Sequence, residues 1–213
     1  MALPTNAQVG APLDAAESKF RAFIAPAAFA GLRLGETAGV QIGDIDFLRR
    51  TLAVSRQVQR EDGGGIEIRP PKYGSERAVY LHDGLVQLLA GHVECHRPGT
   101  DPTRWLFEGL PGDPPHQNTV GYWWRKAQAT AGITGMKTHD LRHYFASGLT
   151  AAGCDVVTVQ RALGHAKATT TLNTYAHLWP TAEDRTRTAA AEPMASVLSA
   201  AAAHADTVRT KSG

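Results

Sequence analysis

The segment His139-Asp140-Leu141-Arg142-His143 follows Thr138, a residue type that caps helices, so the pentapeptide should open a helix. His139 and Arg142 are three apart and share one face of its first turn, at the end where the backbone dipole is positive. A phosphate is welcome there. Taken alone, the pentapeptide reads equally well as an ordinary first turn in which His139 caps and Arg142 meets water. Downstream, Asp155 to Leu163 sets Val156, Val159 and Leu163 on one stripe, and Gly164 should end that helix in the left-handed conformation. His165 then sits on a fixed corner. A further helix beginning near Thr169 or Thr170 carries Leu172, Tyr175, Ala176 and Trp179, and an isolated tyrosine on such an apolar face is most often core.

The rest of the chain must position these groups. Apolar residues recur at helical intervals from Ala16 to Ala30, Gly31 breaks the pattern, and a short helical run begins around Arg33. Alternating apolar positions then mark strands at Thr51–Val58, Gly65–Arg69 and Arg77–Leu81, separated by Glu61-Asp62-Gly63-Gly64 and Pro70-Pro71-Lys72-Tyr73-Gly74. A small three-stranded antiparallel meander is expected. Helices follow from Asp83 to about Glu94, from Asn118 or Thr119 to Gly132, and from Thr138 to Gly153. Between Arg97 and Gln117 prolines and glycines predict a long surface loop. Trp123 and Trp124 fall on a helix, where core packing is expected, and His92, His96, His116 and His204 read as surface or loop residues. The fold class expected is α+β, mainly α-helical, with that small sheet.

Bulk properties bound the function less sharply. The chain has 213 residues, 43% hydrophobic, enough for a proper core, and its 22 Lys+Arg against 20 Asp+Glu give only weak support for a nucleic-acid partner. Cys95 and Cys154 lie far apart, with no paired spacing and no histidines at metal-ligand intervals, which points to neither zinc nor a disulfide framework. That usage fits a reducing cytoplasm. The longest apolar stretch, Ala22 to Leu32, is interrupted by Pro26 and too short to span a bilayer, so no membrane association is expected.

Taken together, His139-Asp140-Leu141-Arg142-His143, then Leu163-Gly164-His165, then Tyr175-Ala176-His177 resemble, in order and spacing, the C-terminal signature of tyrosine recombinases, the phage integrase family. Ala30-Gly31-Leu32-Arg33-Leu34-Gly35-Glu36 resembles the family's first-arginine box, and Lys72 occupies the turn before the third expected strand, where the family keeps a lysine. The resemblance implies a catalytic set of Arg33, Lys72, His139, Arg142, His165 and Tyr175, with Glu36 and Asp140 orienting it. The chemistry implied is cleavage and rejoining of DNA through a 3′-phosphotyrosyl intermediate, with no cofactor and no metal. Displacing an alcohol from a phosphodiester requires a nucleophile, charge neutralisation on the non-bridging oxygens and a proton for the departing oxygen. Arg33 and Arg142 suit the second task, because planar guanidinium groups donate paired hydrogen bonds. By family analogy Tyr175 is the nucleophile, His139 its base, Lys72 the acid and His165 a hydrogen-bond partner of the phosphate.

The resemblance further implies double-stranded DNA as substrate and other protomers as partners, monomeric alone and tetrameric in a synaptic complex on DNA. On this reading residues 1–187 form the catalytic domain, and the family's separate core-binding domain is absent, since only a short segment precedes Arg33. The alanine-rich tail, 188–213, is able to be helical but carries little apolar surface. It is either a frayed end or a segment exchanged between protomers. Two rivals share parts of this pattern: a type IB topoisomerase with the same chemistry, and a DNA-binding regulator that has lost catalysis.

Overall fold

The computed structural model describes residues 3–61, 65–179 and 182–209, and the chain divides into two units, Met1–Ala176 and His177–Gly213. The first is built around helix α2 (Ser18–Ala30), which buries Phe20, Phe23, Ile24 and a run of alanines. Small side chains on most of its surface let neighbours approach from several sides. Helix α1 (Asn6–Ala15) precedes it, held by a reciprocal cap in which Thr5 N donates to Gln8 Oε1 (2.9 Å) and Gln8 N to Thr5 Oγ1 (3.2 Å). Sequence periodicity does not reveal this helix, because Gly10, Pro12 and scattered apolar residues give it almost no amphipathic signal. Gly31 ends α2 in the left-handed region (φ 67°), and a Cβ there would meet the Phe145 ring at 2.5 Å. The corner expected after Ala30 is therefore fixed both by backbone conformation and by packing, and α3 (Leu34–Ala38) follows at once.

The mainly helical α+β class is as expected, but the strands pair differently from a three-stranded meander. The stretch read as one strand, Thr51–Val58, is two: β2 (Thr51–Val54) and β3 (Gln57–Arg60). Strand β2 lies between β1 (Ile45–Asp46) and β5 (Arg77–Tyr80), while β3 forms a separate antiparallel pair with β4 (Ile66–Arg69). The break comes at Ser55-Arg56, where the Arg56 side chain bonds Asp44 (2.5 Å) and the Gly39 carbonyl (3.3 Å) through Nη1. Within the intervening Glu61-Asp62-Gly63-Gly64 turn, residues 62–64 lie outside the described residues.

Three longer helices and two short ones complete this unit's frame: α4 (Asp83–His96), α5 (Gln117–Thr130), α6 (Thr138–Ala151), α7 (Val156–Leu163) and α8 (Ala168–Tyr175). Three expected caps move by one residue or more. His82 Nδ1 accepts from Gly84 N (3.1 Å) and His116 Nδ1 from Asn118 N (3.0 Å), so histidines rather than Asp83 or Asn118/Thr119 cap α4 and α5. At α6 the cap position is Lys137, whose N–H donates to Asp140 Oδ2 (2.7 Å), and Thr138 is already helical. Asp155 caps α7 by accepting from Val157 N (2.8 Å) and Thr158 N (2.9 Å).

The 97–117 loop is less superficial than its composition implies. Leu106 and Phe107 are buried, Leu106 N donates to Val40 O (2.9 Å), and Trp105 bridges to Gln41. His92, expected at the surface, is buried and its Nε2 donates to Leu106 O (2.9 Å), which is how α4 holds this loop. Trp124 is core as expected, with Nε1 donating to Met136 O (2.8 Å), and Trp123 packs its ring against Phe20 and Phe23.

Taken by itself, the second unit comprises His177 and Leu178, the last residues of a short 3-10 turn that starts at Ala176, and helix α9 (Ala182–Arg209), with Pro193 inside it. Of α9's described side chains, Met194, Val197 and Leu198 are large, apolar and exposed. The side chain of His204 lies outside the described residues.

Candidate active site

The centre of the site is a buried carboxylate. Glu36, 1% exposed, sits in the first turn of α3 and accepts from Arg33 N (3.0 Å) and Arg33 Nη1 (2.7 Å), so one carboxylate caps the helix and fixes the arginine that precedes it. Arg77, from β5, reaches the same carboxylate with Nη2 at 2.9 Å and Nη1 at 3.3 Å. Burial alone would raise the Glu36 pKa, but Arg77 and Arg33 together hold it below the ordinary carboxylate value. Sequence reasoning assigned Glu36 an orienting place and missed Arg77. The signal was available: alternation along Arg77, Val79 and Leu81 places an arginine on the inward face of a strand, and a buried guanidinium needs an anion.

Arg77 also ties distant elements together. Its Nε donates to Ala162 O (3.1 Å) near the end of α7 and its Nη1 to Ser75 O (3.2 Å) at the foot of the Lys72 turn. Gly164 ends α7 in the left-handed region (φ 62°), and a Cβ there would meet Arg77 Nη1 at 2.7 Å. The corner that carries His165 is thus packed directly on Arg77. His165 Nδ1 pairs with Thr171 Oγ1 (2.9 Å), and Gln160 Nε2 donates to the His165 carbonyl (3.0 Å). Burial first, then the charges of Arg142, Arg33 and Arg77, pull the His165 pKa down to about 4, so its imidazole is neutral at physiological pH.

Arg142 is almost wholly buried (2% exposed) and donates through Nη1 to Gly31 O and through Nη2 to Leu163 O. The two helix ends supplying these carbonyls, at α2 and α7, fix the plane of the guanidinium. Desolvation chiefly, with Arg33 adding repulsion, lowers its pKa to about 9; it remains a cation at neutral pH. Two of its five N–H groups are committed in this way.

Tyr175 is 1% exposed, and its hydroxyl lies 2.6 Å from His143 Nδ1, the two rings meeting edge to face at 5.6 Å. Burial raises the phenol pKa, opposed by Arg142. His139, assigned by resemblance as the base, is exposed and makes no hydrogen bond to Tyr175 among the described residues; its ring stands edge-on to His143, centroids 4.7 Å apart. Desolvation of its ring and the neighbouring His143, Arg142 and Arg33 lower its pKa. Asp140 caps α6 rather than bonding either histidine.

Arg33, Arg142, His139, His165 and Tyr175 are therefore one electrostatic neighbourhood, in which guanidinium charge exceeds carboxylate charge. Lys72 stands apart from it. It is exposed at the tip of a turn whose feet are tied by Gln57 Nε2 to Pro70 O (2.8 Å) and by Arg77 to Ser75 O, with Tyr73 next to it at φ 62°. Among the described residues no group of three or more His, Cys, Asp or Glu is placed to hold a metal ion, and no helix is long and apolar enough to cross a membrane.

A helical domain with small antiparallel sheets that gathers arginines, imidazoles and a buried tyrosine has the architecture of an integrase catalytic domain. The catalytic domain of bacteriophage HP1 integrase shares the fold with a TM-score of 0.58 at 18% identity, covering 86% of this chain and 92% of that one. The Tn1549 transposon integrase, solved with transposon right end DNA, matches with a TM-score of 0.73 and 25% identity over 91% of this chain and 66% of that one. Residues 5–181 match the family model for the phage integrase family, and the chain belongs to that family. It is similar to the ICEBs1 integrase of Bacillus subtilis (26% identical, 76% of this chain, 45% of that protein) and to the tyrosine recombinase XerD of Mycobacterium tuberculosis (33% identical, 66% and 42%). The chain spans less than half the length of these curated relatives.

Proposed function

We propose that this chain is the catalytic domain of a site-specific recombinase that cuts and rejoins double-stranded DNA through a 3′-phosphotyrosyl bond at Tyr175, without a metal ion. The observation that carries this reading is Arg142, whose charge acts on the buried Tyr175 hydroxyl and on which Arg33 and neutral His165 also converge. An excess of guanidinium charge, with Arg142 fixed by two backbone carbonyls, is suited to the non-bridging oxygens of a phosphodiester. Arg142 would present its uncommitted N–H groups to one oxygen and Arg33 would hold another, with Glu36 and Arg77 keeping the first arginine in place. Neutral His165 is a hydrogen-bond donor at the same phosphate. Lys72, on its exposed turn, would deliver a proton to the departing 5′ oxygen once DNA brings that oxygen to it. By family analogy His139 completes the set, with Asp140 fixing the first turn of α6 beneath it. Double-stranded DNA is the substrate, and further protomers join on it in a synaptic, tetrameric complex to which the 188–213 tail contributes a contact.

The test is a DNA duplex nicked near the scissile bond, so that the cleaved strand end diffuses away and the covalent adduct accumulates. Digestion and mass mapping should place the DNA on Tyr175, in the presence of EDTA as well as in its absence, and Tyr175→Phe should bind the duplex without forming the adduct. An adduct on Tyr144 or Tyr122, or cleavage that EDTA abolishes and magnesium restores, would overturn the reading.

A further inference from the structure

We propose that His143 takes the phenolic proton of Tyr175 as the phenol attacks phosphorus, so that His143 rather than His139 is the base of the cleavage step. The inference rests on the recombinase reading above and concerns how that site activates its nucleophile.

Tyr175 is the starting point. A phenol this deeply buried is shielded from bulk hydroxide and from freely exchanging water, so its proton must pass to a group inside the protein. Among the described residues, the one hydrogen-bond partner of the hydroxyl is His143 Nδ1 at 2.6 Å, within the range of a good O–H to nitrogen bond. Charge sets which of the two groups holds the proton. His143 faces His139, Asp140 and Arg142 on its own helix and Tyr175 from α8. Burial lowers its pKa first, Asp140 opposes that, and Arg142 adds to it, so the imidazole is neutral near pH 7. Burial likewise keeps Tyr175 protonated. A neutral imidazole beside a protonated phenol has two tautomers, and the one that can take the proton carries its own hydrogen on Nε2, so that the phenol donates and Nδ1 accepts. In that tautomer the 2.6 Å contact is aligned for transfer.

His139 lacks that contact. It lies one turn earlier on α6, and its ring meets the His143 ring rather than the phenol. In the step itself the Tyr175 O–H bond breaks with its proton passing to Nδ1, the phenolic oxygen forms its bond to phosphorus, and the bond from phosphorus to the 5′ oxygen breaks as that oxygen takes a proton from Lys72. Strand joining runs the same sequence backwards, and the imidazolium on His143 returns its proton to the departing Tyr175. Arg142, immediately adjacent in sequence, disfavours that imidazolium and so favours the return.

The experiment uses a nicked duplex whose scissile 5′ oxygen is replaced by sulfur. A thiolate leaves without help from an acid, so the single-turnover rate reports activation of the nucleophile alone. His143→Ala and His143→Asn are compared, the second because the asparagine carbonyl sits near the place of Nδ1 and accepts a hydrogen bond without being basic. Both should slow adduct formation by about 10²–10⁴-fold, the usual worth of positioned proton transfer. Imidazole added to the His143→Ala protein should restore part of the rate. The wild-type rate should fall with acid below the ordinary histidine pKa of about 6.5, and the Asn variant should lose that limb. An Asn variant within a few-fold of wild type would show that His143 only holds the tyrosine, and a faster Ala variant would show that it restrains it; either overturns the proposal. If both variants misfold, the wild-type pH profile still decides, since a rate flat from pH 5 to 8 on the sulfur substrate excludes a histidine base. A wild-type chain that forms no adduct at Tyr175 at all would instead remove the recombinase reading.

Discussion

Arg77 Nη2 lies 2.9 Å from Glu36 Oε2 across 41 positions of sequence, and both side chains are nearly inaccessible to water. The pair joins β5 to α3 and, through the Arg77 Nε bond to Ala162 O, to the end of α7. Truncating one member strands the other. Arg77→Met should destabilise the domain by about 3 kcal/mol, the lower part of the range for breaking a buried pair, because Arg33 still meets the carboxylate. Glu36→Gln and Arg77→Met combined should cost measurably less than their sum in urea unfolding at pH 7. Strict additivity would mean that the bridge carries no coupling.

The same carboxylate sets an acid limit. Glu36 has a folded pKa below the ordinary glutamate value, so its contribution to stability is complete above that value and is lost as pH falls through the lower folded one. Wild-type unfolding midpoints should therefore drop between pH 5 and pH 3 more steeply than those of Glu36→Gln. Parallel curves would assign the acid sensitivity to other carboxylates.

Two glycines offer a matched comparison. Gly153 and Gly164 both follow helices and both hold positive φ, 85° and 62°, but a Cβ at Gly153 meets nothing within 4 Å, whereas at Gly164 it meets Arg77. Gly153→Ala should cost about 1–2 kcal/mol for the left-handed alanine alone. Gly164→Ala should cost more and also slow cleavage, since it displaces the guanidinium that supports Glu36 and the His165 corner. Equal thermal shifts and equal rates in the two variants would remove Arg77 from that account.

Much of this frame was legible in the chain. The Gly31 corner, the helix capped by Asp155 and Gly164 and the helix that carries His139 in its first turn follow from local rules, because capping, left-handed glycines and apolar stripes act over a few residues. What escaped depends on contacts between distant segments. The split of Thr51–Val58 is decided by Arg56 reaching Asp44, and the burial of His92 by a loop that folds back on α4. His143 stood in full view within the pentapeptide, yet spacing cannot say which imidazole meets Tyr175, 32 positions away.

For Lys72 the prediction turns on the leaving oxygen. The side chain is exposed on a turn anchored at both feet, free of any competing bond among the described residues, which suits a group that engages only when DNA arrives. Lys72→Ala should slow cleavage of ordinary DNA by about 10²–10⁴-fold, and far less when sulfur replaces the departing oxygen. Equal slowing on both substrates would show that Lys72 does not supply the proton.

The last prediction concerns α9. Met194, Val197 and Leu198 are spaced i, i+3, i+4, which places them on one face, and all three are more than half exposed. Alanine keeps the segment helical at little cost, but a lone helix gains nothing from an apolar stripe left in water. The stripe is thus suited to a surface supplied by another protomer. Replacing Met194, Val197 and Leu198 together by serine leaves every residue of the Tyr175 cluster in place. Adduct formation on the nicked duplex should stay within about two-fold of wild type, a change worth only ~0.4 kcal/mol in the barrier. Assembly on paired sites, followed by gel mobility and light scattering, should fail or need much more protein. Assembly that proceeds unchanged would leave the stripe without a role in protomer contact, and a matching loss of adduct would place it in the chemistry instead.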